Sequence, residues 1–570
     1  MFPQIRDIDA EILWDSGSFF CEILLYPLYV QNCTKNKEKY LFLFTMSPES
    51  VIMDIFKKQE YNVSGKRGLI MKKLLCILLA ALLASSVFVS CGESAAETDV
   101  TETSPAQTEP VETEPRLLDD LPDGIDLGGW NVNVLSGAHP EVCGDEICVE
   151  ELNGDVINDA VYNRNLAVEK RLNVKITDYV IRAESGDFSH PDYAASEAIT
   201  TLVTSGDTTY NLYTSNSYTT AALGYNHMLH NLREVKNLDL TKPYWAQYIN
   251  ETATVNGQQY LCTGPMSLGF FRFNTAMVFN KRLFSDNSLD YPYQTVLDGK
   301  WTLDTVNTLA EQIYVDTNGN GVLEVGEDTV GYSTRAYPDS GNIDGFWGSC
   351  NLRTISKDEN DFYVYDVNVE HFVSVVDGLL ALLNGEGSEG MAGNDGVFQS
   401  AFQEGKQGMM NITLNWLESG MAREMDDEYG VVPNPKLNTE QDNYYTLAQD
   451  QFLVYAIPLS VAASDLPNLG IFMEAFAAES YATVKPAYYE IALTAKYVND
   501  QDSAAMLDII TNNVYVDPAI LYLSIMNFNV MTLRDILGSG QNTAASRIAS
   551  MQKQFQTNID KINEAYGKEK

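Results

Sequence analysis

Cationic side chains are scarce in this chain. It carries 37 Lys+Arg against 78 Asp+Glu, a formal net charge of −41 at pH 7. That balance argues against nucleic acid as a partner, because phosphates need a basic surface. It argues equally against lying flat on anionic lipid, and it suits a soluble body held off a membrane. Histidine is rarer still, at five residues. Only His227 and His230 stand close together, and two imidazoles without a third ligand read as surface residues; His139, His190 and His371 are scattered. Beyond Cys91 four cysteines remain: Cys143, Cys148, Cys262 and Cys350. That leaves no zinc set. Cys143 and Cys148 either close a small loop as a disulfide or remain two free thiols. No G-x-S-x-G, H-E-x-x-H or P-loop pattern occurs, so no short motif marks an enzyme.

One long apolar run is present, from Met71-Lys-Lys through Leu74 to Ser90-Cys91. Two lysines, an apolar core and small residues make a secretory signal. Its ending resembles a bacterial lipoprotein signal, which implies cleavage after Ser90 and a lipid on Cys91. Phe88 departs from the leucine usual there. Such a signal belongs at a chain start, so Met71 is the expected start and 1–70 a mis-called upstream extension. The alternative is a membrane anchor with a cytoplasmic head, for which about 17 apolar residues is the lower limit. The first 90 residues hold 10 basic and 9 acidic side chains; the remainder holds 27 and 69, a net of −42. Residues 91–118, rich in Thr, Glu and Pro, cannot bury a core and form an extended tether.

From Leu118 onward, strand and helix patterns alternate. Trp130–Leu135 reads as a strand, Asp155–Leu172 as a helix, Val174–Ile176 as a strand, Ala194–Val203 as a helix and Tyr210–Tyr213 as a strand. Alternation of this kind implies a mostly parallel sheet in an α/β fold.

Several motifs then occur in a telling order: Ser205-Gly-Asp-Thr-Thr-Tyr-Asn-Leu-Tyr213, Gly224–Leu232, Thr275-Ala-Met-Val-Phe-Asn-Lys-Arg-Leu283, Trp301-Thr-Leu-Asp-Thr-Val306, Ala401-Phe-Gln-Glu-Gly405 with Met409, and Gly430-Val-Val-Pro433. Together they resemble the extracellular solute-binding proteins of ABC importers, of the maltose-binding kind (type 2 periplasmic binding proteins). Asn211 replaces the aspartate usual in that family. The stretch Glu474 to Ile510 is similar to a lipoprotein subgroup. The resemblance implies two α/β lobes with a hinge and a ligand cleft between them: 119–277 plus 450–515 as lobe one, and 278–449 plus 516–570 as lobe two. It implies a non-enzymatic, monomeric, lipid-anchored extracytoplasmic protein that captures a small solute, a sugar or oligosaccharide by expectation, and meets ABC permease subunits. The alternatives are an exported glycosidase-like enzyme and a surface scaffold.

The segment Asp316-Thr-Asn318-Gly-Asn320-Gly-Val322-Leu-Glu324-Val-Gly-Glu327 fits a calcium loop, D-x-(D/N)-x-(D/N)-G-x5-E. Asp316, Asn318 and Asn320 offer side-chain oxygens, Val322 its carbonyl, Glu324 a water-mediated contact and Glu327 a two-oxygen grip. A helix before it and a strand after it make a static Ca2+ clip rather than a paired sensor.

Ligands of open α/β sheets sit beyond the carboxyl ends of the strands. That rule selects Ser136 and His139 after the first strand, and Ser215 and Asn216 where a helix opens after 210–213. In the second lobe it selects Tyr337, Trp347 and Trp416, each of which is a cleft wall for a sugar face or a core aromatic. Trp130 and Trp301 read as packing.

Overall fold

The computed structural model describes residues 46–47, 50–51, 119–137, 146–181, 191–337, 341–392, 395–494 and 501–569. The expected signal, Cys91, the tether, His139 and Cys143 lie outside them. Residues 1–109 and 110–570 form separate units. In the first, Met46–Ser47 pairs antiparallel with Ser50–Val51.

The second unit opens with β1 (Trp130–Gly137), α1 (Val156–Leu172), β2 (Val174–Ile181), α2 (Pro191–Ser205), β3 (Leu212–Asn216) and α3 (Ser217–Tyr225). Asp155 starts α1 by accepting the amides of Ile157 and Asn158, and Asn173 ends it in the left-handed region at φ 50°. β2 runs well past the expected Ile176. Then follow β4 (Thr275–Asn280), α4 (Leu303–Ile313), β5 (Val330–Tyr337), α5 (Gly341–Ser349), α6 (Val369–Leu383), β6 (Ser388–Ala392), α7 (Asp395–Gln403), β7 (Gln407–Thr413), β8 (Tyr429–Val432) and β9 (Leu453–Ala456). Toward the end of the chain come α8 (Leu466–Thr494), α9 (Gln501–Asn512), a single turn at Pro518–Leu521, α10 (Val530–Gly538) and α11 (Ala544–Ala565).

These strands make two separate sheets. The first has the order β9-β3-β1-β2, the second β6-β5-β7-β4-β8. β1 is parallel to β2 and β3, while β9 lies antiparallel to β3. In the second sheet β5 is parallel to β6 and β7, while β4 lies antiparallel to β7 and β8. The two sheets share a plan of parallel strands with one antiparallel strand, three and one in the first sheet, four and one in the second. This is a two-lobe α/β architecture. The expected division after residue 277 falls inside β4, all of which pairs in the second sheet.

Each lobe is sealed by its own helices. α8 packs along α1 on the first sheet, where Arg164 is wholly buried with its guanidinium 4.1 Å from the Phe476 ring. α10 packs on β5, α5 and α6, and α11 on α6. α9, expected with lobe one, packs against β8 instead, and Ser503 on it lies 2.9 Å from the Tyr293 hydroxyl. Trp301 is core, as expected, and donates its indole N–H to Pro433 O at 2.8 Å.

Two chain crossings run side by side. Asn274 bridges Ala448 in antiparallel fashion, and the Gln449 amide donates to Phe273 O at 2.9 Å. A bidentate ion pair ties the first crossing to the turn after β7: Arg272 Nε and Nη2 reach Glu418 Oε1 and Oε2 at 3.0 and 2.8 Å. Among the described residues no helix is long and apolar enough to cross a membrane.

Candidate functional site at the interlobe hinge

The carboxyl ends of β1 and β3 come together as the sheet rule requires, and their side chains divide into two roles. Ser136 and Ser215 are buried and bonded within lobe one: Ser136 Oγ donates to Asp178, and Ser215 Oγ donates to Gly137 O at 2.8 Å. Asn216 precedes α3 without capping it, and its Oδ1 is buried with no hydrogen-bond partner. Its side chain lies beside the Tyr218 hydroxyl. Ser217 Oγ donates to Asp450 O at 3.2 Å, which ties the start of α3 to the returning hinge strand.

Around this point the fold gathers groups that no local pattern marks. Asp192, buried at the start of α2, accepts the Tyr218 hydroxyl. That bond and burial raise the Tyr218 pKa, burial being the larger cause. Tyr193 is 49% exposed, with its ring centroid 6.0 Å from that of Tyr218. From lobe two, Asp344 on α5 pairs through both oxygens with Arg534 on α10, Nε to Oδ1 at 2.7 Å. Burial raises the Asp344 pKa against the opposing pull of Arg534. Asp450 sits between the lobes on the return crossing. Its pKa is pushed up to about 6, first by burial, then by repulsion from Asp344 and Asp192, against attraction to Arg534. It is half-buried.

The aromatic expectations resolve differently. Trp347 is fully buried, edge-on to Phe372 and Phe528 at 5.8 and 6.1 Å. Trp416 is 7% exposed and packs against Phe402 and Tyr429 at 5.7 and 5.4 Å. Both are core side chains of lobe two, because their partners are apolar rings rather than cleft surface, although neither indole N–H has a protein partner. Tyr337 closes β5 at its carboxyl end. The buried Asn274 amide, at the crossing itself, likewise has no protein partner on either atom.

In the expected calcium loop, Asp316 accepts the amides of Gly319 and Gly321 at 2.7 and 2.8 Å. The side chains of Asn318 and Asn320 both meet Glu324 Oε2, at 3.0 and 2.6 Å. Val322 and Glu327 are exposed. The neighbouring Asp328, absent from the expected set, is buried and accepts the amides of Thr317 and Glu324. Among the described residues no three His, Cys, Asp or Glu side chains converge as a metal site. Cys148 holds a free thiol, 3.6 Å from the Asn165 amide nitrogen, while Cys143 lies outside the described residues.

A hollow of about 210 Å³ opens elsewhere, lined by Trp130, Asn131, Asn133, Thr208, Asn211, Val461 and Asp465. It lies at the amino ends of β1 and β3, the wrong end of the sheet for a ligand of this fold.

No known family pattern matches the chain, and no curated protein matches it. Solved structures similar in fold include the galacto-N-biose/lacto-N-biose I-binding protein of an ABC transporter from Bifidobacterium longum, at 14% identity, covering 78% of this chain and 99% of that one, TM-score 0.48. A maltose-binding protein from Listeria monocytogenes in complex with maltose is 16% identical, covering 77% and 99%, TM-score 0.46. An ABC substrate-binding protein from the same organism, in complex with cycloalternan, is 14% identical, covering 77% and 100%, TM-score 0.45.

Proposed function

We propose that this chain is an exported, lipid-anchored binding protein, not an enzyme, that captures a carbohydrate between its lobes and presents it to an ABC permease. The observation that carries this reading is the paired crossing at Asn274 and Ala448, with polar groups of both lobes and of the hinge meeting beside it. Such a hinge lets two rigid sheets close on a solute, and closure needs a solute that binds the shut form more tightly. Asp192, Asn216 and Asp450 supply acceptors for sugar hydroxyls, and the exposed Tyr193 ring supplies an apolar face. The lipid on Cys91 ties the exported body to the membrane, and the acidic tether holds it off the surface. We further propose that the loop 316–327 takes Ca2+ as a structural clip.

The test is small-angle scattering of the purified protein with a panel of saccharides, after mass spectrometry of whatever solute co-purifies. Compaction with one saccharide that is recovered unchanged supports the reading. Equal size with every saccharide, or chemical conversion of the one that binds, overturns it.

A further inference from the structure

Resting on the binding-protein reading, we propose that the interlobe site selects a saccharide bearing a protonated amine over its neutral counterpart. Two carboxylates adjoin the first turn of α3, Asp192 by accepting the Tyr218 hydroxyl and Asp450 through its backbone carbonyl on Ser217 Oγ, and Asp344 of lobe two acts on Asp450 electrostatically. The charged groups acting most strongly on Asp450 are Asp344, Arg534 and Asp192, with the phenols of Tyr193 and Tyr218 beside Asp192. Arg534 is already held by both oxygens of Asp344, and the Tyr218 hydroxyl is held by Asp192. The region therefore carries more negative than positive charge.

Asn216 adds an independent observation. Its Oδ1 accepts hydrogen bonds and donates none, it is 5% exposed, and it has no partner in the protein. A buried acceptor without a donor costs free energy until a ligand supplies one. Tyr193, half exposed and with its ring centroid 6.0 Å from that of Tyr218, presents an aromatic face of the kind that attracts a cation. Carboxylate, orphan acceptor and aromatic face all favour a ligand rich in donors and positive charge.

A neutral sugar hydroxyl also donates to a carboxylate. It does not cancel the charge, so closing the lobes over it desolvates Asp450 without a counter-ion. An ammonium offers three donors and the missing charge at once, so closure on it removes the penalty.

The probes are a disaccharide of glucosamine and its N-acetylated form, which match in ring geometry and differ in charge. Titration calorimetry near neutral pH on the intact protein should show the amine form binding about ten-fold or more tightly. In Asp450→Asn that preference should shrink toward equality. A thermal melt close to that of the parent shows the variant is folded, and the parent comparison alone decides if it is not. Equal or tighter binding of the N-acetylated form overturns amine selection and leaves carbohydrate capture standing. Binding of neither, with a neutral saccharide co-purifying, also overturns it. Failure of every saccharide to compact the protein removes the binding-protein reading itself.

Discussion

Glu146 is the residue whose charge is most at odds with its surroundings. It is 1% exposed, one oxygen accepts the Gly269 amide at 2.7 Å, and the other has no hydrogen-bond partner. Burial pushes its pKa to about 7 from an ordinary 4.5, against the pull of Arg272. The native state therefore holds a proton that the unfolded chain has released between those two values. Stability conferred at this position should fall as pH rises from about 4.5 to about 7 and stay low above that. At 1.36 kcal/mol per unit the span is roughly 3 kcal/mol. Glu146→Gln keeps an acceptor for Gly269 and removes the titration. Its melting temperature relative to the parent should rise across that interval, as calorimetry at several pH values would show. A constant difference would mean Glu146 does not titrate in the fold. Such a carboxyl is invisible in sequence, because Glu146 sits among other acidic residues and only the fold takes it out of water.

Among elements, α4 and β5 show how closely a helix and a strand can be set by the absence of a side chain. A methyl group on Gly331 would stand 2.1 Å from Ala310 O and 2.3 Å from Ala310 Cα, both backbone atoms of α4. Neither can swing away, so Gly331→Ala should cost about 3 kcal/mol or more, read as a lower denaturation midpoint. Gly420, with nothing within 4 Å, is the matching control and should tolerate alanine. The loop joining these elements is the proposed calcium clip. Chelation should lower the melting temperature, since an ion bound only by the native form adds stability by mass action. An unchanged melt on adding EDTA would remove the clip. These elements were legible in sequence because they follow local rules. Thr302, within the motif Trp301–Val306, caps α4 by accepting the Thr305 amide, a local rule. The serines at the strand ends were legible for the same reason, since alternation locates a strand and topology then fixes which end faces a ligand. Where a tryptophan ring points was not legible: Trp347 and Trp416 lie just beyond strands, yet each finds aromatic neighbours far along the chain.

At the scale of the whole molecule, the site is assembled from positions that sequence cannot relate. Asp344 and Arg534 stand 190 residues apart, and Asp192 meets its hydroxyl partner only because α2 and α3 converge on the hinge. The alternation of strand and helix patterns made an α/β fold readable, and the order of the motifs that resemble solute-binding proteins implied two lobes. Where they divide was less readable: α9 follows directly on a helix of the first lobe yet seals the second, a choice made by packing against β8.

The inserted antiparallel strands bear on how this chain is made. β9 at Leu453–Ala456 completes a sheet begun at Trp130, and every strand of the other sheet is synthesised in between. A chain emerging residue by residue must therefore wait with its earliest sheet unfinished at one edge until late in synthesis. Fragments ending before β9 should be prone to aggregation, and the first half of this molecule is not a separable part.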